Sequence, residues 1–194
     1  SNFSLKRFAF QPLRPVVSDN ARVLLLGSFP PPHARWSMEF FYPNFQNDMW
    51  RIMGLLFYGD KEHFVVPGQK RFDYARVVDF CRREGIALYD AAYMVKRLRG
   101  NASDNFLKII EPTDIQSLLS SMPSCSAVVS TGGKSAEQIA SVLDVPVPAV
   151  GGSVQFTLQP SQRTVTFHRM PSSSRAYPMS LDRKAAAYSS VLIL

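Results

Sequence analysis

Four consecutive aliphatic residues, Val23-Leu24-Leu25-Leu26, stop at Gly27 and are followed by Pro30, Pro31 and Pro32. An apolar run without alternation belongs to a strand covered on both faces, the habit of parallel sheets, and the prolines cannot continue a ladder, so a loop must follow. Three further runs behave alike: Ile86-Ala87-Leu88-Tyr89 before Asp90, Ala127-Val128-Val129 before Ser130-Thr131-Gly132-Gly133, and Thr164-Val165-Thr166-Phe167 before Arg169 and Met170. Helical spacing separates them. Met49, Ile52, Met53, Leu56 and Phe57 share a face, with Asn47 or Asp48 as cap and Gly59 as stop. A second amphipathic helix is expected over residues 72–84, stopped by Gly85; a third carries Ala136, Ile139, Ala140 and Leu143; a last one covers about 180–190. Residues 154–158 read as an extra strand. Strands alternating with helices predict a parallel α/β sheet in a single domain over residues 1–194.

With 46% hydrophobic and 19% charged residues, the chain can bury a real core. Two cysteines, Cys81 and Cys125, are too few for a four-cysteine zinc site, an iron–sulfur cluster or a disulfide scaffold, and both are expected reduced. No metal or other cofactor is expected. No apolar run approaches the roughly 20 residues that cross a bilayer, and residues 1–20 lack the apolar core of a signal peptide. The expectation is a monomeric cytoplasmic protein without a membrane partner. The formal charge of +7 suits a polyanion partner, because clustered cations gain affinity for phosphates by releasing condensed counterions; by itself it leaves that partner open.

In an open parallel sheet, ligands bind beyond the carboxyl ends of the strands, where loops converge. That rule gathers residues 27–33, 90–93, 131–135 and 170–177, with the aromatic insert Phe40, Phe41, Tyr42 and Phe45 close by. The set is poor in conventional catalysts and rich in hydroxyls, amides and rings. It contains no Gly-x-Ser-x-Gly elbow and no paired-histidine metal motif. Gly133-Lys134-Ser135 resembles the end of a phosphate-binding loop, but Val128 stands where that motif needs glycine, which argues against an ATPase.

Four segments, Leu26-Gly27-Ser28-Phe29-Pro30, Asn47-Asp48-Met49-Trp50-Arg51-Ile52-Met53-Gly54, Gly85-Ile86-Ala87-Leu88-Tyr89-Asp90 and Met170-Pro171-Ser172-Ser173-Ser174, resemble in order the motifs of the uracil-DNA glycosylase superfamily, and most closely its hypoxanthine or deoxyinosine branch. The resemblance implies a three-layer α/β/α fold with a central, mainly parallel four-stranded sheet. It implies a monofunctional DNA-base glycosylase that hydrolyses the N-glycosidic bond of a flipped-out deaminated base, hypoxanthine, uracil or xanthine, in base excision repair. DNA containing a damaged base is the implied partner.

On this resemblance Gly27, Ser28, Phe29 and Tyr42 bind the base, Tyr42 as the stacking ring with Phe41 and Phe45 as substitutes; taken singly, each of these rings is more at home in a core. Asp90 stands where uracil enzymes carry an asparagine. An ionised carboxylate only accepts, so it favours base edges with N–H donors; it can also simply cap its turn. Asn47, through Asn47-x-x-Trp50, matches the branch's asparagine, and its carbonyl oxygen can orient water or cap the helix. Phe29 and Met170 replace a water-positioning residue and a base-binding histidine of other members; His168 alternates onto the face of Met170. Pro171, Ser172, Ser173, Ser174 and Arg175 resemble a loop pressing on the DNA backbone, with Arg175 or Tyr177 filling the vacated stack, and Lys134 and Ser135 give a second phosphate contact. Lys96, Arg97 and Arg99 read as a DNA-tracking cluster or a solvated loop. A fold that binds nucleic acid without turnover is the alternative, and a small-molecule hydrolase or nucleotide enzyme a third.

Overall fold

A computed structural model describes residues 8–98 and 107–193. The strands and helices in chain order are β1 (Phe8–Phe10), β2 (Val23–Gly27), α1 (Met49–Tyr58), α2 (Tyr74–Glu84), β3 (Ile86–Asp90), β4 (Ala92–Arg97) and β5 (Leu107–Pro112). They continue with α3 (Ile115–Ser120), β6 (Ala127–Ser130), α4 (Gly133–Leu143), β7 (Ser153–Leu158), β8 (Arg163–Arg169) and α5 (Leu181–Leu192).

The main sheet has the order β3-β2-β6-β8-β7. Its first four strands run parallel, as the apolar runs require, and β2 and β3 are buried at every residue. The sheet has five strands instead of four: residues 153–158 add an antiparallel edge to β8, where alternating exposure replaces continuous burial. α1 meets α2 through Phe57 and Phe80, α3 packs on α4, and α5 returns to pack on α1.

Helix boundaries follow the expected signals. Gly59 and Gly85 end α1 and α2 in the left-handed conformation, at φ 65° and 68°. The helix expected from residue 72 starts two residues later, because Asp73 accepts from the Arg76 N–H and so caps it. Phe72 instead joins Phe64 and Phe80 among the buried rings.

A second, antiparallel sheet of order β1-β4-β5 was not foreseen. Its middle strand, β4, follows β3 after the single residue Ala91, and the sheet encloses its own small core of Phe29, Ala92, Val95 and Leu107. Arg99, counted above with Lys96 and Arg97, lies outside the described residues. Cys81 and Cys125 are buried free thiols, and burial pushes both pKa values up. No helix among the described residues is long and apolar enough to cross a membrane.

Candidate active site

A cavity of about 900 Å³ lies beyond the carboxyl ends of β2, β3, β6 and β8. Its wall is built from residues 27–31 after β2, Asp90 at the end of β3, residues 131–134 after β6 and residues 172–178 after β8, with residues 41–44, 46 and 47 completing it. These are the loops that the strand-end rule gathers, because β2 lies between strands reached in opposite directions, β3 on one side and β6 on the other.

The floor forms where the β2–β3 register places Gly27 opposite Asp90. A Cβ on Gly27 would stand 2.8 Å from Asp90 Oδ1 and 3.6 Å from both Cε1 and the hydroxyl of Tyr42. Only a residue without a side chain lets the carboxylate and the phenol ring approach the same point. Tyr42 adopts φ 51°, a left-handed conformation that costs a non-glycine residue free energy. Its ring is edge-on to Trp50, and its hydroxyl lies 2.9 Å from Thr131 Oγ1. Burial, and after it the charge of Asp90, push the Tyr42 phenol well above its ordinary pKa, so it stays a neutral hydroxyl. Asp90 is only 6% exposed; Gln11 Nε2 donates to its Oδ2 at 2.8 Å and the Thr113 hydroxyl donates to its backbone oxygen at 2.5 Å.

One side wall is two loops joined as a short antiparallel pair. Asn47 bridges Ser174, Asp48 N donates to Ser173 O at 2.7 Å, and Arg175 N donates to Gln46 O at 3.0 Å. The Asn47 side chain takes the capping arrangement: its Oδ1 accepts the Met49 N–H at 2.9 Å. One of its two lone pairs is thereby used at the start of α1.

Behind this wall sits a charge cluster, buried at Asp48, Arg51 and Lys184 and exposed at Arg175, that the pattern reading did not anticipate. Asp48 lies 3.3 Å from Lys184 Nζ and 3.5 Å from guanidinium nitrogens of both Arg51 and Arg175. Lys184 is fully buried on α5 and also donates to Ser174 O at 2.7 Å. Desolvation, followed by repulsion from Arg175, lowers the Arg51 pKa.

Of the expected base-binding residues, Gly27, Ser28, Phe29 and Tyr42 all line the cavity, as do Asn47, Asp90, Lys134, Ser172, Ser173, Ser174, Arg175 and Tyr177. Phe29 does so while anchoring the small second core, with the Arg97 guanidinium 5.6 Å from its ring centre. Phe45 packs on Phe72 and Arg51 instead.

Two residues expected to contact phosphates, Ser135 and Pro171, lie off the cavity. Ser135 is buried and turns its hydroxyl back onto Gly132 O at 3.0 Å, as a residue in the first turn of α4 does when it satisfies its own helix end. Pro171 is buried below the loop, its oxygen taking the Tyr188 hydroxyl at 2.8 Å. Neither reaches the cavity. Met170, which is buried, and His168, which is half-buried, also lie off it; partial burial lowers the His168 pKa.

Gln11 and Lys184 carry no sequence signal for the site, whereas Thr131 belongs to the segment 131–135 that the strand-end rule gathers. Among the described residues that line the cavity Asp90 is the one carboxylate, and Lys134 and Arg175 supply cations. Among the described residues no three His, Cys, Asp or Glu side chains are placed to hold a metal ion.

No protein-family model matches the sequence, nor does any curated protein sequence. Among solved structures, the chain matches the solution NMR structure of a protein from Methanosarcina acetivorans provisionally named a uracil DNA glycosylase. The identity is 18%, the match covers 93% of this chain and 94% of that one, and the TM-score is 0.62. At that identity the likeness is one of fold, and the chain is an α/β protein that shares the architecture of that structure from end to end.

Proposed function

We propose that the protein is a DNA-base glycosylase that breaks the N-glycosidic bond of a deaminated base, hypoxanthine, uracil or xanthine, turned out of the duplex. One observation carries this reading: Gly27, Tyr42 and Asp90 converge on the cavity floor while Asn47 and the loop 172–175 stand on one wall. The likeness of fold and the ordered motifs support it.

The chemistry follows from the groups available. At about 900 Å³ the cavity is at the large end of small-ligand clefts, so a base fills its depth and leaves room for sugar and phosphate. Tyr42 offers a ring for stacking, which recovers part of the few kcal/mol that extrusion costs. Asp90, as a carboxylate, accepts from a ring N–H of the base. The glycosidic bond breaks through an oxocarbenium-like state, with the electron pair leaving on the base and positive charge developing on the sugar. Asn47 holds the incoming water through the lone pair that Met49 leaves unused. Water adds to the sugar carbon, its proton passes to solvent, and the departing base takes up a proton. Backbone N–H groups near Ser28 and Phe29 stabilise the leaving base. Lys134, Arg175 and the hydroxyls of residues 172–174 contact phosphates.

Duplexes carrying deoxyinosine, deoxyuridine or deoxyxanthosine, incubated with excess protein and then treated with alkali, test the reading. Strand breakage at one or more lesions is expected. Asn47→Ala should slow excision by about 10²-fold or more, and Asp90→Asn should change which base is removed. Intact strands with every lesion end the claim of activity. The second reading, a fold that binds nucleic acid without turnover, draws on Asn47 being committed to its helix. It predicts salt-sensitive binding of the same duplexes and no breakage.

A further inference from the structure

The sheet of β1, β4 and β5 has two faces of different character. Ala9, Val95 and Ile109 stand side by side in register and pack, with Ala92 and Leu107, on Phe29. Their neighbours along each strand alternate to the outer face. There Phe8, Lys96 and Lys108 form one cross-strand row, and Phe10 and Met94 begin the next. The register of β4 shifts between Ala92 and Val95, which leaves Tyr93 exposed with its ring edge-on to Phe10 at 5.9 Å. Phe10 is 59% exposed and Tyr93 41%, so apolar ring surface lies open to solvent on this side.

The charges on the outer face have one sign where the rings are. Lys96 stands directly opposite Lys108, and like charges that face each other across a ladder cost stability unless an anion lies over them. Lys96 Nζ also lies 5.6 Å from the centre of the Phe8 ring, so cation and ring form one patch. Glu111 is the one carboxylate in the three strands, and it sits opposite Met94, beyond the lysine row.

Paired cations beside open rings fit one chemistry: a phosphate backbone whose bases are able to turn their faces to a ring. A base within a duplex hides both faces in its stack, so the partner must be unpaired. A second copy of this chain fits poorly, because it would press one lysine pair against another.

We propose that the outer face of the β1-β4-β5 sheet binds single-stranded nucleic acid without regard to sequence, with bases stacking on Phe8 and Phe10 and phosphates on Lys96 and Lys108. Stacking tolerates any base because each has a π-face. Phe29 belongs both to the cavity wall and to the core behind this sheet, so the surface lies across the sheet from the cavity. It holds whether or not the cavity excises a base.

The test is fluorescence anisotropy of a labelled, undamaged thymidine homopolymer of about a dozen nucleotides, within the usual range of single-strand site sizes, added to the whole protein over a salt series. The wild-type protein should bind it with an affinity that falls as salt rises. Phe10→Ala should weaken binding by about tenfold at every salt concentration and leave the slope alone. Lys108→Gln should reduce the slope by about 0.7, one single-strand phosphate contact. Phe10→Trp restores a stacking ring and should bind within about twofold of wild type. If Phe10→Ala folds poorly, Phe10→Leu keeps the apolar bulk without the ring and should show the same loss. A wild-type protein that does not bind the strand overturns the proposal, as does an unaltered affinity in a folded Phe10→Ala or Phe10→Leu, or an unaltered slope in Lys108→Gln. Sedimentation that shows a dimer dispersed by Phe10→Ala, with strand affinity untouched, gives the face to a second copy and also overturns it. Excision from lesion-containing duplexes is scored apart, and Phe10→Ala should leave its rate at the wild-type value. A protein that binds the strand as stated and excises nothing ends the glycosylase reading while the role of the sheet stands.

Discussion

At the scale of single residues, the site depends on something missing: the side chain of Gly27. Gly27→Ala puts a methyl group 2.8 Å from Asp90 Oδ1, closer than a real Cβ contact. The carboxylate must then turn off its direction, while the β2 ladder, made by backbone groups, survives. On the proposed reading, excision should fall by about 10²-fold, as ångström-scale misplacement does, with a thermal midpoint within a few degrees of wild type; single-turnover assays beside a melting curve check this. The strand-end residues Gly27, Asp90 and Ser172 to Ser174 were legible because each follows an apolar run, and a run's end is readable without knowing its neighbours. Gln11 and Lys184 were not. Their roles arise from partners 79 and 136 residues away in the chain, Asp90 and Asp48, and no local spacing encodes such a pairing. A hydroxyl at a helix start can serve a phosphate or its own helix end, and sequence does not tell the two apart; the Ser135 hydroxyl lies on Gly132 O.

Among the elements, α5 is more than a cover for α1. Its Lys184 joins Asp48, at the start of α1, to the Ser174 carbonyl in the loop after β8. Lys184→Met should lower stability by about 2–4 kcal/mol, because it leaves Asp48 buried with less compensating charge and the Ser174 oxygen without its donor. Arg51, 3.5 Å from Asp48, keeps the loss from being larger. Urea unfolding measures it, and a wild-type midpoint would show that the cluster contributes nothing. The four parallel strands and the major helices were readable because burial on both faces, or on one stripe, writes its own period into the residues. The β1-β4-β5 sheet has no such imprint. Its first strand is three residues long, and β4 and β5 mix charged, exposed and buried side chains. The β7 edge was visible as an extra strand, but its antiparallel pairing with β8 comes from the turn between them, which hydrophobicity does not record.

For the molecule as a whole, a charge of +7 becomes informative once Lys134 and Arg175 are found beside one cavity. On the proposed reading, affinity for an uncleavable duplex falls linearly with salt on logarithmic axes. Lys134→Ala should weaken binding severalfold at low salt and reduce that slope by about 0.9, one phosphate contact. Fluorescence anisotropy across a salt series reads both, and an unchanged slope removes Lys134 from the interface. The joined loops of the side wall have a further consequence. Backbone bonds tie residues 46–48 to 173–175, and Lys184 bolts the seam from behind. A seam fastened in this manner has no hinge, so the mouth works as a fixed gauge and not as a jaw. On the proposed reading, the work of fitting then falls on the nucleic acid, and lesions in soft, poorly stacked contexts, such as mismatches or frayed ends, would be admitted first.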